Sequence, residues 1–532
     1  MNIVQRMRFS GRLAAAVAMT LVSAVSLAQS NDSVLITNAQ VIDGTGTPAQ
    51  RVSVRVTGAT IAAIGVLQPL PQETIVDARG LVLAPGFIDS HSHHDGGIFE
   101  RRDTPEVVSQ GITTIIVGQD GGSDLPLQDF FSKLGTAPAA VNVGSYVGHN
   151  TLRDAVLGRD YKRVATDAEV KKMTDLLARE LQAGALGLST GLEYEPSSYS
   201  DPQEVVALAK VAASVGGRYI SHSRSEDVKL DAAIDELLNI GAQTCMPVQI
   251  SHFKLAIRNR WGDAAAVLAK LDAARKRGID VTADIYPYEY WQSTLRILFP
   301  DRNYKDRAQA ENVLKNIGAP EDFIMSEFEP EPALVGKSIA EIAMLRKTDP
   351  ATTLMALIDE SINFKGTGAQ GSKGGEGGRE VVIGKSMSEG DITQLIAWPH
   401  SNISSDGSMG DAHPRGAGAF PRVIRMYVRE QKTLTLPQAI HKMSGLTAQH
   451  LGIKDRGVIR VGAAADLVLL DPQTITDRAT LQDPSQLSVG IERVWVNGKS
   501  VWQDGKTTAS YPGQLIKREP RAKPFACNSA SH

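Results

Sequence analysis

The sequence predicts an α/β fold: a (β/α)8 barrel of the TIM type, a small β-sandwich formed from both ends of the chain, and a helical insertion over the barrel mouth. Strand and helix patterns alternate between about residues 83 and 450, as in parallel βα units, and eight such units close a barrel. Short strand patterns with turn signals occupy both ends of the chain. One connection, about residues 291–399, is too long for a single βα loop.

The chain has 532 residues and a formal net charge of −3, with an ordinary globular composition. This near-neutral balance gives no indication of a nucleic-acid or anionic-membrane partner. Cys245 and Cys527 are the two cysteines. They provide no disulfide framework, and we expect them to remain unpaired because Cys527 lies in a polar tail, residues 516–532.

Residues 1–28 are predicted to be a signal peptide. Arg6, Arg8 and Arg12 precede an apolar run, and Ser26-Leu-Ala28 resembles a cleavage site. An uncleaved membrane anchor is the alternative, but the run is short for one, and no other stretch has the length needed to span a bilayer. The pattern therefore predicts an exported protein of a bacterial periplasm, with no membrane span after cleavage.

Residues 29–82 and 451–515 are predicted to form the β-sandwich. Val34-Leu-Ile-Thr and Val52-Ser-Val-Arg-Val are short strand patterns near the N-terminus, and Asn497-Gly498 is a hairpin signal near the C-terminus. Two unrelated β segments are the alternative. The run Ala463-Ala-Ala-Asp-Leu makes that alternative less favoured.

The segment 83–450 carries the βα units. Thr166 and Glu169 form a capping-box pattern, and Gly184 ends the helix that follows. Besides the strand before His91, the predicted strands are Thr113–Val117, Val141–Val147, Ala185–Ser189, Tyr219–Ser221, Val248–Ser251, Ile279–Ile285 and Asn402–Ser405.

The long connection at 291–399 shows helix patterning near Ser338 and Thr353, which predicts a helical insertion over the barrel mouth. Within it, residues 365–379 are glycine-rich. A phosphate-binding loop is one interpretation, but the Walker spacing is missing and no strand leads into it. A surface loop is the preferred interpretation.

Polar residues that could carry chemistry, histidines and carboxylates among them, follow most of the predicted strands. Catalytic groups of such barrels lie at the C-terminal strand ends. Any one of these residues alone could be a satisfied core residue, whereas their coincidence predicts a metal site; His94 is expected to point away from it. The candidates are His91, His93, Asp120, His222, Arg224, Glu226, His252, Lys254 and Asp406.

Amide hydrolysis at neutral pH needs a strong nucleophile, a stabilised oxyanion and a proton for the leaving amine. A metal ion supplies the first two by acidifying a water and polarising the carbonyl. A carboxylate beside the metal takes the proton from water and passes it to nitrogen. Asp406, after the last strand, is the candidate for this shuttle.

Several motifs together resemble the amidohydrolase superfamily, and within it the N-acyl-D-amino-acid deacylase (D-aminoacylase) family. The resemblance covers nearly the whole mature chain. The motifs are Pro85-Gly-Phe-Ile-Asp-Ser-His-Ser-His93, Gly148-His-Asn-Thr-Leu-Arg153, Gly187-Leu-Ser-Thr-Gly-Leu-Glu-Tyr194, Ser251-His-Phe-Lys254, Ala283-Asp-Ile-Tyr-Pro-Tyr288, Ser405-Asp-Gly407 and His413-Pro-Arg415.

The resemblance implies a Zn²⁺ site. His222 and His252 are the implied ligands, with Asp120 where the best-known family members carry cysteine. An aspartate is a harder ligand than a thiolate and can bridge two metals. Whether the site holds one zinc ion or two therefore remains open. His91, His93 and Asp406 would hold the second ion. Glu193 is a weaker candidate near the mouth.

The resemblance also implies that Lys254, Tyr286 and Arg415 bind the substrate's α-carboxylate, because guanidinium and ammonium groups recognise carboxylates. Tyr194 would line the pocket. A structural salt bridge is the alternative for Arg415, and ordinary packing is the alternative for Tyr194.

The predicted function is zinc-dependent hydrolysis of the amide bond of an N-acyl-D-amino acid, with a small N-acyl amino acid or short peptide as substrate. A dipeptidase for D-residue substrates or a cyclic-amide hydrolase is the first alternative. The cyclic-amide group carries a lysine at the fourth strand's end, and Ala185-Leu-Gly-Leu-Ser189 has none. A non-catalytic binding protein is the second alternative; the intact set of histidines and Asp406 disfavours it.

Overall fold

The computed structural model describes residues 33–365, 377–519 and 525. The predicted signal peptide, most of the glycine-rich segment 365–379 and most of the tail 516–532 lie outside the described residues. Within the described ranges, no helix combines the length and hydrophobicity needed to cross a membrane. The domain boundaries given above remain predictions.

The strands follow one another along the described chain. They are β1 Ser33–Val41, β2 Gln50–Thr57, β3 Thr60–Gly65, β4 Thr74–Asp77, β5 Val82–Pro85, β6 Phe87–Asp89, β7 Ile112–Val117, β8 Asn142–Ser145, β9 Val147–Gly148, β10 Gly187–Gly191, β11 Arg218–His222, β12 Val248–Ile250, β13 Val281–Ile285, β14 Tyr290–Ser293, β15 Phe323–Phe328, β16 Glu380–Lys385, β17 Ser401–Ile403, β18 Leu467–Leu470, β19 Ile491–Val496, β20 Lys499–Gln503, β21 Lys506–Thr507 and β22 Leu515–Ile516.

Helices alternate with the central strands. They are α1 Pro105–Val108, α2 Leu127–Thr136, α3 His149–Leu157, α4 Asp167–Ala183, α5 Pro202–Ser214, α6 Leu230–Thr244, α7 Ala264–Lys276, α8 Arg307–Asn312, α9 Ile339–Arg346, α10 Pro350–Asn363, α11 Glu389–Ala397, α12 Arg415–Arg422, α13 Leu436–Met443 and α14 Gly445–Leu451. The capping box of α4 forms as predicted, and Gly184 ends the helix in the left-handed region.

Both ends of the chain contribute to one nine-stranded sheet. Its order is β21-β20-β19-β18-β5-β1-β2-β3, with β4 paired to β1. The two ends join where β18 runs antiparallel to β5. Residues from both ends pack in one buried cluster of this sheet: Ile36 and Val54 from the N-terminal part, and Leu467 and Trp495 from the C-terminal part. Each end therefore contributes part of the hydrophobic face.

The central strands form parallel sheets. One contains β9, β10, β11, β12, β13 and β17, and the other contains β6, β7, β8 and β22. The segments that follow β6 and β17 are hydrogen-bonded to each other. The Asp406 amide donates to the His91 carbonyl at 2.9 Å, and the His93 amide donates to the Gly407 carbonyl at 2.9 Å. The predicted α/β class with parallel sheets is confirmed.

The first central strand, β6, ends at Asp89, before His91 as predicted, so His91 and His93 lie in the segment that follows the strand. Asp89 accepts a hydrogen bond from the backbone amide of Ser405 at 2.9 Å. This bond joins the end of β6 to the segment after β17.

The sequence pattern predicted a helical insertion, but the insertion is not purely helical. Besides α8, α9 and α10, it contains an antiparallel sheet in the order β14-β16-β15. Phe323, Met325 and Phe328 are buried in β15 between more exposed neighbours. Six residues with an imperfect alternation give a weak strand signal, which is why the helix patterns dominated the prediction.

The expectation that Cys245 remains unpaired was wrong. Cys245, which follows α6, is disulfide-bonded, and its partner lies outside the described residues. The polarity of the tail was the only basis for expecting no pairing.

Candidate metal centre

The six predicted ligands come together at one end of the parallel sheets. His91 and His93 follow β6, Asp120 follows β7, His222 ends β11, His252 follows β12 and Asp406 follows β17. Because the carboxyl ends of parallel strands lie at the same edge, residues far apart in sequence meet there.

The first donor group contains His91, His93, Asp120 and Asp406. His91 Nε2 lies 3.4 Å from an oxygen of Asp120 and 3.4 Å from an oxygen of Asp406. His93 Nε2 lies 3.4 Å from Asp120 and 3.3 Å from Asp406. Each histidine therefore faces both carboxylates.

The second donor group contains Asp120, His222 and His252. His252 Nε2 lies 3.4 Å from Asp120 Oδ1 and 3.0 Å from His222 Nδ1. Asp120 belongs to both groups, and its backbone has a φ of 51°, in the left-handed region. This unusual conformation places the carboxylate between the two sets of histidines.

Carboxylates lie behind two of these histidines, on the side away from Asp120. Glu193 lies 3.0 Å from His222 Nε2, and Glu226 lies 3.0 Å from His252 Nδ1. The Lys254 ammonium, which can only donate, also lies 2.7 Å from His252 Nδ1. His222 Nδ1 lies 3.0 Å from His252 Nε2, so these two nitrogens face each other beside Asp120.

The donor set fits a zinc ion. Both ring nitrogens of His91 and one oxygen of Asp120 are buried without a hydrogen-bond partner. Ligands placed about 2.0–2.2 Å from a tetrahedral ion lie about 3.3–3.6 Å apart, which matches the measured separations in the first group. Imidazole and carboxylate donors suit zinc.

Asp284 also supports the centre, and sequence reasoning missed this residue. It lies on β13, fully buried, with one oxygen 3.7 Å from His91 Nδ1. It accepts hydrogen bonds from the His252 amide at 2.8 Å and from the Ser404 hydroxyl at 2.8 Å. The available signal was a lone acidic residue inside a short strand pattern.

Charges around Asp406 keep it ionised. Burial opposes its ionisation, but Arg415, His252 and His91 hold the pKa of Asp406 well below its ordinary value. Burial, by contrast, raises the pKa of Glu193. The two carboxylates thus differ in proton affinity, with Asp406 the one held as an anion.

The predicted substrate residues lie beside the metal ligands, in two different states. The Tyr286 hydroxyl and Arg415 Nε are buried without hydrogen-bond partners, while another Arg415 nitrogen contacts Asp406. Lys254 donates to Glu226 at 2.7 and 2.8 Å. Tyr194 lies against His222, with ring centroids 4.4 Å apart.

Arg224, a candidate by position, points elsewhere and pairs with Glu236 at 2.8 Å. Sequence reasoning also missed the residues that the insertion contributes to the cavity beside the ligands, namely Trp291, Ile297, Leu298 and Ile317. They are ordinary apolar residues in an irregular connection, so no motif distinguished them.

Comparison with known proteins decides the family. The model for the amidohydrolase family (Amidohydro_3) matches residues 74–315 and 388–502. The chain belongs to this amidohydrolase family. The gap between the matched ranges falls within the insertion.

Individual amidohydrolases match over almost their full length. D-aminoacylase of Alcaligenes xylosoxydans xylosoxydans is 34% identical over 91% of this chain and 97% of its own. N-acyl-D-aspartate deacylase of the same organism is 36% identical, covering 91% and 94%. The crystal structure of N-acyl-D-glutamate deacylase from Bordetella bronchiseptica, complexed with zinc and a phosphonate mimic of the tetrahedral intermediate, superposes with a TM-score of 0.80, 34% identity and coverage of 91% and 99%.

Proposed function

We propose that this amidohydrolase is a zinc-dependent N-acyl-D-amino-acid deacylase, which releases a carboxylate and a free D-amino acid. The observation that carries the proposal is the pair of donor groups sharing Asp120, next to the Tyr286 hydroxyl and Arg415 Nε, both of which are buried without a hydrogen-bond partner. The relatives named for this activity support the choice of a D-configured substrate.

His91, His93, Asp120, His222, His252 and Asp406 would hold one or two zinc ions. Bound zinc lowers the pKa of a coordinated water to about 7 and polarises the substrate carbonyl. Asp406 lies at the edge of the first donor group, 3.3 Å from His93 Nε2. It accepts the proton of the attacking water and delivers it to the leaving nitrogen.

Arg415 and Tyr286 bind the substrate's α-carboxylate. The Arg415 guanidinium carbon lies 4.8 Å from the centre of the Tyr286 ring, and both residues line the same cavity. Lys254 lies 5.8 Å from that ring centre but is paired with Glu226. It contributes positive potential rather than a free donor, unless the substrate displaces Glu226.

We also propose how the sheets and the insertion are arranged, and where the protein is located. The two parallel sheets form one closed (β/α)8 barrel, supported by the hydrogen bonds between the segments after β6 and β17. The nine-stranded sheet folds on itself as the β-sandwich, and the insertion covers the barrel mouth. The pattern in residues 1–28 supports export to a bacterial periplasm.

A dipeptidase for D-residue substrates is the second candidate. A cleft of about 510 Å³ adjoins the metal ligands on the side of His93, Asn150 and Thr151. Its size suits an acyl group as large as an aminoacyl residue. The cyclic-amide alternative finds no support, since β10 ends without the lysine such enzymes use.

The test is hydrolysis of matched N-acetyl-D- and N-acetyl-L-amino acids, with D-residue dipeptides alongside, by zinc-loaded protein. We expect cleavage of the D series alone among acetyl substrates. Tyr286→Phe removes one hydrogen bond to a charged group and should lower kcat/KM by about 10- to 100-fold, mainly through KM. Cleavage of dipeptides without acetyl substrates would favour the second candidate, and equal cleavage of L substrates would contradict the first.

A further inference from the structure

The chain has two cysteines, and the one that the structure describes is bonded. Cys245 is disulfide-bonded, and Cys527 is the other cysteine of the chain. We propose that Cys527 is its partner, and that the segment 517–527 forms a covalent strap across the face of the parallel sheets opposite the metal centre. The strap stabilises the fold and takes no part in catalysis.

Cys245 lies at the amino-terminal ends of the parallel strands. It follows the last turn of α6, shortly before β12 begins at Val248. Its backbone amide donates to the Gly241 carbonyl at 2.8 Å, which ties it to the helix end. His252, by contrast, follows the carboxyl end of β12. The disulfide and the metal ligands therefore lie at opposite ends of the same strand.

The described residues after β22 run towards Cys245 on this face. β22 pairs with β8, and the Arg518 amide then donates to the Gly184 carbonyl at 2.9 Å. The Arg518 guanidinium donates to the carbonyls of Leu181 at 3.0 Å and Val215 at 2.5 Å. These acceptors lie at the ends of α4 and α5, which lead into β10 and β11. The next strand of that sheet is β12, which α6 and Cys245 precede.

Phe525 gives a second fixed point close to Cys527. It is half-buried and packs against the main hydrophobic core. It also lines a cavity of about 600 Å³ on this face, together with Leu186 and Leu451. Cys527 follows two residues later, a reach of about 7 Å at most. The anchored phenylalanine therefore holds the second cysteine near the face on which Cys245 lies.

Charges on this face make the strap depend on the disulfide. Cations outnumber carboxylates around the cavity even when Asp466, the partner of Arg456, is included. Residues 520–532 add Arg521 and Lys523 and contain no carboxylate. Like charges repel, so the contact of Phe525 is opposed and the covalent bond retains the segment. The charged residues of the cavity are Arg218, Lys454, Asp455, Arg456, Lys517, Arg518 and Glu519.

The disulfide stabilises the fold mainly by constraining the unfolded chain. Its formation removes two electrons and two protons from the two thiols, and a disulfide-bonded oxidant accepts them and becomes a dithiol. The bond closes a loop that includes more than half of the chain, and cross-links that close long loops remove the most unfolded-state entropy. Such bonds persist in oxidising compartments, in accord with the export proposed from residues 1–28.

The first test compares thermal unfolding of the purified full chain, followed by circular dichroism, between wild type and cysteine variants. We expect Cys245→Ser and Cys527→Ser each to lower Tm by about 3–5 °C. The double variant should lose no more than either single variant, because both substitutions remove the same bond. The matched control Ser529→Ala should unfold like wild type. Zinc content should be equal in all variants, since the metal ligands lie at the other end of the strands.

The second test is limited trypsin digestion, which reports docking of the segment. Trypsin cuts after Arg521 but not after Lys523, because Pro524 follows that lysine. We expect cleavage after Arg521, measured by mass spectrometry, to be at least about tenfold faster in Cys527→Ser than in wild type or Ser529→Ala, because a released segment is open to the protease.

The readouts need no substrate, so they are independent of the proposed function. Losses of Tm that add in the double variant would overturn the strap, because the two cysteines would then act separately. An unchanged Tm in both single variants would overturn its stabilising role. Equal trypsin cleavage in wild type and Cys527→Ser would overturn the docking, and disulfide-linked dimers on a non-reducing gel would overturn the pairing within one chain.

Discussion

Removing the charge of Glu204 should destabilise the protein severely. Glu204 lies on α5, where its carboxylate accepts from Arg153 at 2.7 and 2.5 Å and lies 2.7 Å from His149 Nε2. The side chains of Arg153 and His149 are 0% exposed. Glu204→Gln leaves the Arg153 cation buried without a counter-charge, which costs about 3–5 kcal/mol of unfolding free energy.

An exposed ion pair nearby gives the matched control. Lys171 and Asp175 on α4 are joined at 2.6 Å, but their side chains are 71% and 63% exposed. Asp175→Asn should cost only about 0–1 kcal/mol, because water screens the pair. Urea titrations of both variants, followed by tryptophan fluorescence, measure the difference; equal unfolding free energies for the two variants would refute the argument that burial determines the cost.

Two further predictions concern pH and a close backbone approach. The hydrogen bond from Arg55 lowers the pKa of Glu73 from 4.5 to about 2. The ionised Glu73 therefore stabilises the protein fully above pH 4.5, and this stabilisation is lost as the pH falls towards 2. The difference in Tm between wild type and Glu73→Gln should shrink as the pH is lowered, and a constant difference would contradict this. A Cβ at Gly191 would lie 2.1 Å from the Asp120 carbonyl oxygen, so Gly191→Ala should lower zinc content and cut turnover more than about tenfold, while Gly135→Ala, which has open space, should change neither.

The candidate ligands could be predicted from the sequence because each lies just after a short apolar strand. His222 and His252 follow such runs, and parallel strands bring their carboxyl ends to one edge. The same reasoning predicted Asp120 and Asp406 without any knowledge of distances. Resemblance to a known family then assigned the chemistry.

The residues that surround the candidate ligands could not be predicted in this way. Asp284 supports His91 only because its side chain points inward from β13, and that direction depends on strand register. The pairing of Lys254 with Glu226 depends on side chains from two separate loops. Trp291 and Ile317 reach the cavity through an irregular insertion whose path no periodicity encodes.

The most direct test of the account is turnover of N-acetyl-D-leucine against zinc content, measured on wild type and Asp406→Asn. Chelated wild type should be inactive and should regain activity as zinc is added, in proportion to the metal bound. Zinc-loaded Asp406→Asn should keep its fold and lose at least about 10³-fold in kcat, since it lacks the proton acceptor. Full turnover by metal-free protein, or by zinc-loaded Asp406→Asn, would contradict the account.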